Sequence, residues 1–256
     1  MRQLMGGLVL VVCLVVGQRA RAQAPSVDVI VAQLTEKNAE RQRELESYTS
    51  ERAYRVEYHG AGGEHRGEIV VHVEYGEHGE KHLSVVSESG SKLICERVLR
   101  KMVEAEQEAS EGSNRKQMTL SAENYTFELL GEQTIDGVQA WVLQTSPKVE
   151  NKLTYRGRIW VSKDDFAVVR VLGEPAKNPS WWISRASFDW RYERHGKFWL
   201  PERSVAVSHV RIGGEAKLTI EYGSYNIVAS QNPKPSQFAP AQAAATQIAE
   251  HRSLAR

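Results

Sequence analysis

The stretch YTFELLGEQTIDGVQAWVLQT, residues 125–145, is the part of the chain that most directly predicts its fold. Tyr125, Phe127 and Leu129 alternate with other residues, which is the period of a half-buried β-strand. Asp136-Gly137 then supplies a pair typical of a two-residue hairpin turn, and a second run from Val138 to Thr145 follows. These residues therefore predict two antiparallel strands joined by a tight turn.

The same alternation of strand-like runs and turns continues on both sides of this hairpin. Strand-like runs and turns alternate as far as residue 228, with turns at Lys163-Asp164-Asp165, His195-Gly196 and Gly213-Gly214. Towards the N-terminus, period-two runs at residues 54–58, 69–75 and 83–85 are separated by glycine-rich turns at residues 60–63 and 76–79. The pattern predicts a long antiparallel meander.

Two segments depart from the period of two and predict amphipathic helices. From Ser26 to about Glu46, apolar residues recur at spacings of three and four (Val27, Ile30, Val31 and Leu34), with Ser26 as the N-cap. The second half of this segment is polar, so only its first turns are expected to lie on the rest of the protein. A second helix is predicted from about Glu96 to Glu111, with Leu99, Met102 and Val103 on its apolar side.

The two ends of the chain differ from its middle. Arg2, the apolar run Leu8 to Val16 and two small-x-small motifs at residues 20–24 predict a secretory signal peptide over residues 1–24. Cys13 follows Val12, which does not favour a lipidated cysteine, so no lipid anchor is expected. Residues 229–256 form a tail rich in proline, alanine and glutamine that predicts disorder. Residues 25–228 between these two segments are predicted to form one domain, and the protein is expected in the periplasm.

Composition excludes several function classes. Removal of three arginines with the signal peptide changes 33 basic residues to 30 against 32 acidic ones, a balance of −2 that does not suit nucleic acid. Cys95 is then the single cysteine, which excludes an internal disulfide and a metal site with two cysteine ligands.

Candidate catalytic and metal-binding residues have simpler explanations. Five histidines crowd the first hairpins, but several fall at turns, where solvated histidine is common; they are His59, His65, His72, His78 and His82. The pair Asp164-Asp165 is explained by the residue preferences of a turn. No Gly-x-Ser-x-Gly motif for a nucleophilic serine occurs. The apolar residues Leu93-Ile94 before Cys95 favour a buried thiol over a nucleophilic one. The sequence predicts no enzyme, no cofactor and no metal.

The order of helix, meander, helix and long meander resembles the outer-membrane lipoprotein-sorting proteins, the LolA/LolB-like family, in an uncharacterised branch. The resemblance is strongest in four segments: YRGRIWV at 155–161, DFAVVR at 165–170, GEPAKNPS at 173–180 and FWLP at 198–201. It implies a mainly β (α+β) fold, a strongly curved, unclosed antiparallel β-barrel capped by two amphipathic helices. In this family an arginine on an early strand holds the helical lid shut, and Arg52 and Arg55 are the two candidates here.

Two functions remain open at this stage. The first is a periplasmic carrier or binding protein for lipoprotein or lipid acyl chains, which acts in outer-membrane lipoprotein sorting through transient contact with membrane machinery. The alternative is an envelope-stress sensor or protein-interaction module of the RseB type, with an envelope protein as partner.

Lipid-binding residues are expected on the helix faces, on the first hairpin and at a tryptophan pair. Trp181 and Trp182 follow a proline-rich loop, and neighbours on a strand point to opposite faces, so one of the two is expected at the rim of the site. The full predicted set is Val31, Leu34, Val71, Val73, Leu99, Met102, Val103, Trp181 and Trp182.

Overall fold

The computed structural model describes residues 25–60, 62–76, 79–110, 119–178, 183–211 and 213–230. The predicted signal peptide, Trp181, Trp182 and residues 231–256 of the predicted tail lie outside the described residues. All structural statements below refer to the described part of the chain.

The N-terminal helix forms where the three-and-four spacing predicts it. Helix α1 spans Val27–Glu44, and the Ser26 hydroxyl accepts a hydrogen bond from the Val29 amide at 3.4 Å. This capping bond satisfies one of the amide groups that have no partner at a helix start. Ile30, Val31 and Leu34 are buried, and no later residue of the helix is.

The second helix starts earlier than its sequence predicts. It consists of α2 (Lys92–Ile94), a π-helical turn (Cys95–Leu99) and α3 (Arg100–Ala109), and these three parts are called the second helix below. The expected start at Glu96 is therefore wrong by four residues. The reason is tertiary, because Ile94 and Cys95 are buried against strand β2, where their burial stabilises an additional turn.

Ten strands account for most of the described chain. They are β1 (Leu45–Gly60), β2 (Gly63–Tyr75), β3 (Lys81–Gly90), β4 (Tyr125–Ile135), β5 (Val138–Pro147), β6 (Tyr155–Ser162), β7 (Val168–Pro175), β8 (Ile183–His195), β9 (Phe198–Val210) and β10 (Glu215–Ala229). Asp136 and Gly137 have φ values of 49° and 81°, as a two-residue hairpin turn requires. The hairpin predicted from residues 125–145 is thus confirmed.

All ten strands belong to one antiparallel sheet in the order β3-β2-β1-β10-β9-β8-β7-β6-β5-β4. The first and last strands of the domain pair directly, with Arg52 opposite Tyr222 and Tyr54 opposite Ile220. Strands β3 and β4 are the two edges and do not pair with each other. The predicted fold class, an unclosed antiparallel half-barrel with two helices, is confirmed.

Each helix covers a different half of the concave face. Helix α1 packs on β4 to β8, where the buried sheet residues are Tyr125, Trp141, Leu143, Tyr155, Ile159, Val161, Val171 and Phe188. The second helix packs on the other half, where the buried sheet residues include Tyr54, Val56, Ile69, Val71 and Val73. A third, smaller cluster around Trp160 lies on the convex face.

Candidate functional site

The strand register places one continuous row of side chains across the concave face. From β2 to β5 this row consists of Ile69, Tyr54, Ile220, Ser204, Trp190, Val171, Ile159 and Leu143. Its two ends are buried under the helices, whereas Ile220, Ser204 and Trp190 in the middle are half-buried. The middle of the sheet therefore keeps accessible surface between the two helix-covered halves.

We call this half-buried middle surface the central strip. Its members lie on β8, β9 and β10 and share the concave face; they are Trp190, Tyr192, Ser204, Ala206, Leu218, Ile220 and Tyr222. Aromatic and aliphatic groups dominate the strip, and three hydroxyls provide its polar atoms. Such a lining, apolar with a few placed polar groups, is typical of ligand sites.

The structure divides the predicted lipid-binding residues between the two halves. Val31 and Leu34 of α1 are buried against the sheet, 4% and 0% exposed. Val71, Val73, Leu99 and Val103 are buried together on the opposite half, and Met102 beside them is half-buried. The two helix faces therefore do not form one shared surface, and the predicted residues pack helix against sheet.

The predicted lipid-binding set contains no residue of the central strip, although the alternation of the strip residues is visible in the sequence. Phe188, Trp190 and Tyr192 alternate along β8, and Leu218, Ile220 and Tyr222 alternate along β10. A period of two assigns each set to one face but does not say which strands a helix covers. The order of the strands decides that, because it brings β10 next to β1.

A charged cluster joins the second helix to the sheet at the edge of the central strip. Arg52 on β1 is 1% exposed, and its Nη1 atom donates to Glu106 Oε1 of α3 at 2.5 Å. Tyr54 donates to Glu106 Oε2 at 2.5 Å, and Lys81 Nζ donates to Oε1 at 2.9 Å. The Glu106 carboxylate therefore holds three donors from two strands, β1 and β3.

Aromatic groups surround the guanidinium of Arg52. Its Nη2 atom donates to the Tyr48 hydroxyl at 3.2 Å, and its Cζ atom lies 4.7 Å from the centre of the Tyr222 ring. The Nε atom is buried and has no hydrogen-bond partner. A cation in so apolar a setting depends on its one carboxylate partner.

The pKa values reflect this arrangement. Burial raises the pKa of Glu106, but Lys81 and Arg52 outweigh burial and hold it at about 2. Burial lowers the pKa of Arg52, and the Glu106 carboxylate reverses the effect, so the net shift is upward. Glu106 is therefore ionised and Arg52 protonated at neutral pH.

Arg52, and not Arg55, is the strand arginine that contacts a helix. Arg55 points to the convex side, where it pairs with Glu68 and Glu221. Arg52 lies two residues before Tyr54 and four before Val56, so the period of two places all three on the same face of β1. Arg55 falls on the opposite face, and this alternation is the sequence feature that distinguishes the two arginines.

The polar end of α1 makes more contacts than the sequence predicts. Arg41 donates to the backbone carbonyl of Asp165 at 2.9 Å and to that of Phe166 at 3.4 Å, in the β6–β7 turn. Glu44 pairs with Lys197 at 2.9 Å. The expectation that only the first turns of α1 lie on the sheet is correct for its apolar side chains. It is wrong for the polar end of the helix, which also contacts the sheet.

The convex face carries a shallow cleft of about 370 Å³. Its lining includes the polar residues Gln144, Arg156, Arg158 and Glu174 together with two glycines. Its charged lining does not suit an acyl chain, so the concave central strip is the better candidate site.

The described part of the chain contains no group of side chains arranged for metal binding or thiol chemistry. No group of three histidine, cysteine, aspartate or glutamate side chains there could hold a metal ion. Cys95 is buried, with its thiol donating to the Ser89 carbonyl at 3.3 Å. None of the described helices is long and apolar enough to cross a membrane.

These features define a class of protein, the unclosed antiparallel β half-barrel whose concave face is covered in part by helices. A sequence model of a protein family described as uncharacterised matches residues 103–232, just over half of the chain, and the chain belongs to that family. No curated protein matches the sequence.

Several solved structures are similar to this chain in fold. A DUF1329 family protein from Desulfovibrio piger is 16% identical, with 84% of this chain and 96% of that chain covered at a TM-score of 0.41. An outer membrane lipoprotein-sorting protein domain from Vibrio parahaemolyticus is 12% identical, with 80% and 94% covered at 0.41. A LolA superfamily protein from Nitrosomonas europaea is 12% identical, with 80% and 94% covered at 0.35.

Proposed function

We propose that the protein is a periplasmic carrier or binding protein for lipid or lipoprotein acyl chains and that it has no enzymatic activity. The observation that carries the proposal is the central strip, an apolar and aromatic surface that neither helix buries completely. Each methylene removed from water contributes about 0.8 kcal/mol, so a chain of roughly a dozen carbons would gain several kcal/mol there.

The second helix acts as the movable cover in this proposal. Its ionic contacts with the sheet are Arg52–Glu106, Lys81–Glu106 and Glu88–Arg100, and its apolar contacts include Leu99 and Val103. An acyl chain that enters from the central strip would replace helix contacts with its own. Movement of the second helix would make five predicted lipid-binding residues accessible, namely Val71, Val73, Leu99, Met102 and Val103. Movement of α1 away from the sheet would expose Val31 and Leu34 in the same way.

A direct test is whether lipid co-purifies with the protein. Mass spectrometry of organic extracts from protein isolated from its native host should show acyl lipids in a defined ratio to protein. A hydrophobic fluorescent probe should bind the emptied protein with defined stoichiometry, and long-chain lipids should displace it. Absence of both lipid and probe binding would overturn the proposal.

A matched pair of variants locates the site. Ala206 is on the concave face of β9, opposite Leu218 and Phe188, and Val205 beside it points to the convex face. Ala206→Phe should fill the central strip and reduce probe binding, whereas Val205→Phe should leave it unchanged. Equal effects of both substitutions would place the bound probe elsewhere.

A further inference from the structure

We propose that the acyl ligand carries an anionic headgroup, which replaces the Glu106 carboxylate at Arg52 when the second helix moves away. The inference rests on the proposed carrier function and specifies the chemistry of its ligand. A carboxylate and a phosphate share the required charge, and the experiment below distinguishes them.

The charge balance of the cluster is the first argument. Within the described residues, Arg52 and Lys81 share a single carboxylate, that of Glu106. The tyrosines around it are neutral, so the cluster has one more positive charge than negative. Glu88, the one acidic residue of β3, is already paired with Arg100 at 2.6 Å. The cluster can therefore accept an additional negative charge.

The burial of Arg52 is the second argument. Its side chain has no exposure, whereas the side chains of Glu106 and Lys81 are 23% and 26% exposed. Movement of α3 would carry Glu106 away and leave the guanidinium among tyrosine rings without a counter-ion. An unpaired buried charge is strongly unfavourable, so a neutral lipid would have to bear this cost. An anionic headgroup removes it by forming a new ion pair at the same position.

The position of the cluster relative to the central strip is the third argument. Arg52 faces Tyr222 across the β1–β10 pair, and Tyr222 is itself a member of the strip. The Tyr222 hydroxyl lies 3.3 Å from the Ser204 hydroxyl, and this hydrogen-bonded pair leaves one O–H free to donate beside the guanidinium. The unpaired Nε of Arg52 supplies another. A headgroup at Arg52 would thus continue directly into an acyl chain on Ile220 and Leu218.

Probe displacement by single-chain ligands of equal length tests the proposal. Dodecanoate and dodecyl phosphate should each displace the fluorescent probe at concentrations about tenfold lower than dodecanol, since one close charge pair contributes at least that factor. The stronger of the two anions identifies the headgroup. Equal displacement by the anions and the alcohol would overturn the proposal and leave the carrier function standing. Failure of all three ligands to bind would overturn the carrier function itself.

Variants assign the preference to this cluster. Lys81→Met, at a partly exposed position, should reduce the anion preference, and Arg52→Gln should abolish it. Glu106→Gln should increase it, because the competing carboxylate is gone. Arg55→Gln removes an arginine of the same strand from the convex face and should change nothing. A preference that persists in Lys81→Met and does not rise in Glu106→Gln would contradict the assignment, even where Arg52→Gln fails to fold.

Discussion

Gly67 of β2 and Ile94 of α2 are in contact so close that a Cβ atom at Gly67 would lie 2.7 Å from Ile94 Cγ2. Gly67 faces the concave side, opposite Val56 of β1. The absence of a side chain there lets the start of the second helix approach the sheet backbone, and this contact explains why the helix begins before Glu96.

Gly67→Ala should therefore destabilise the protein by about 1–3 kcal/mol, the usual cost of overpacking a core. Urea unfolding measures the change. Gly62→Ala is the control, because a Cβ atom there would meet nothing closer than 3.9 Å. The double variant Gly67→Ala/Ile94→Ala should lose less unfolding free energy than the sum of the losses of the two single variants. A loss equal to that sum would contradict the proposed contact.

Arg52 and Arg55 should differ sharply when each is replaced by glutamine. Arg52→Gln breaks a buried ion pair and should cost about 3 kcal/mol. Arg55→Gln breaks exposed pairs and should cost less than about 1 kcal/mol. Equilibrium unfolding gives both values. Similar losses for the two variants would show that Arg52 does not hold the second helix.

Acid should weaken the contact between the second helix and the sheet. The pKa of Glu106 is lowered to about 2 in the folded protein from an ordinary value of 4.5. Its contribution to stability is therefore fully present above about pH 4.5 and is lost as the pH falls towards 2, with an upper limit of about 3 kcal/mol. Glu106→Gln should show a shallower fall of the unfolding free energy between pH 5 and pH 2, as measured by urea titrations. Parallel pH profiles would contradict the lowered pKa.

Arg41→Met should loosen α1 without affecting the second helix. The substitution removes the hydrogen bonds to the Asp165 and Phe166 carbonyls and should cost about 1–3 kcal/mol. Hydrogen exchange should become faster in α1 and remain unchanged in α3. Arg43→Met is the matched control, since Arg43 makes no hydrogen bond or ion pair within the described chain. Faster exchange in both helices would indicate global destabilisation instead.

The C-terminal limit of the domain can be set by truncation. Strand β10 continues to Ala229, opposite Leu45, and the Ser230 amide donates to the Glu44 carbonyl at 2.8 Å. We expect truncation after Ser230 to preserve the melting temperature. Truncation after Val228 removes the Ala229 pairing and the Ser230 bond and should lower it by a few degrees. A large loss on truncation after Ser230 would show that residues 231–256 belong to the domain.

The sequence alone determined the repeating part of this protein. Alternation along residues 125–145 fixed two strands, and Asp136-Gly137 fixed the turn between them, because both depend on local backbone geometry. The spacing of Ile30, Val31 and Leu34 fixed the buried face of α1 in the same way. The family resemblance correctly implied an unclosed sheet and an arginine beneath a helix.

The tertiary structure alone decided which of these elements meet. Arg52 and Glu106 are 54 positions apart, and their contact depends on how the second helix lies across β1. The pairing of β1 with β10 likewise joins Arg52 to Tyr222. Local periodicity assigns a side chain to a face of its own strand or helix, but strand order and helix docking result from the packing of the whole chain. For that reason the separation of the two helices and the central strip between them appear only in the folded protein.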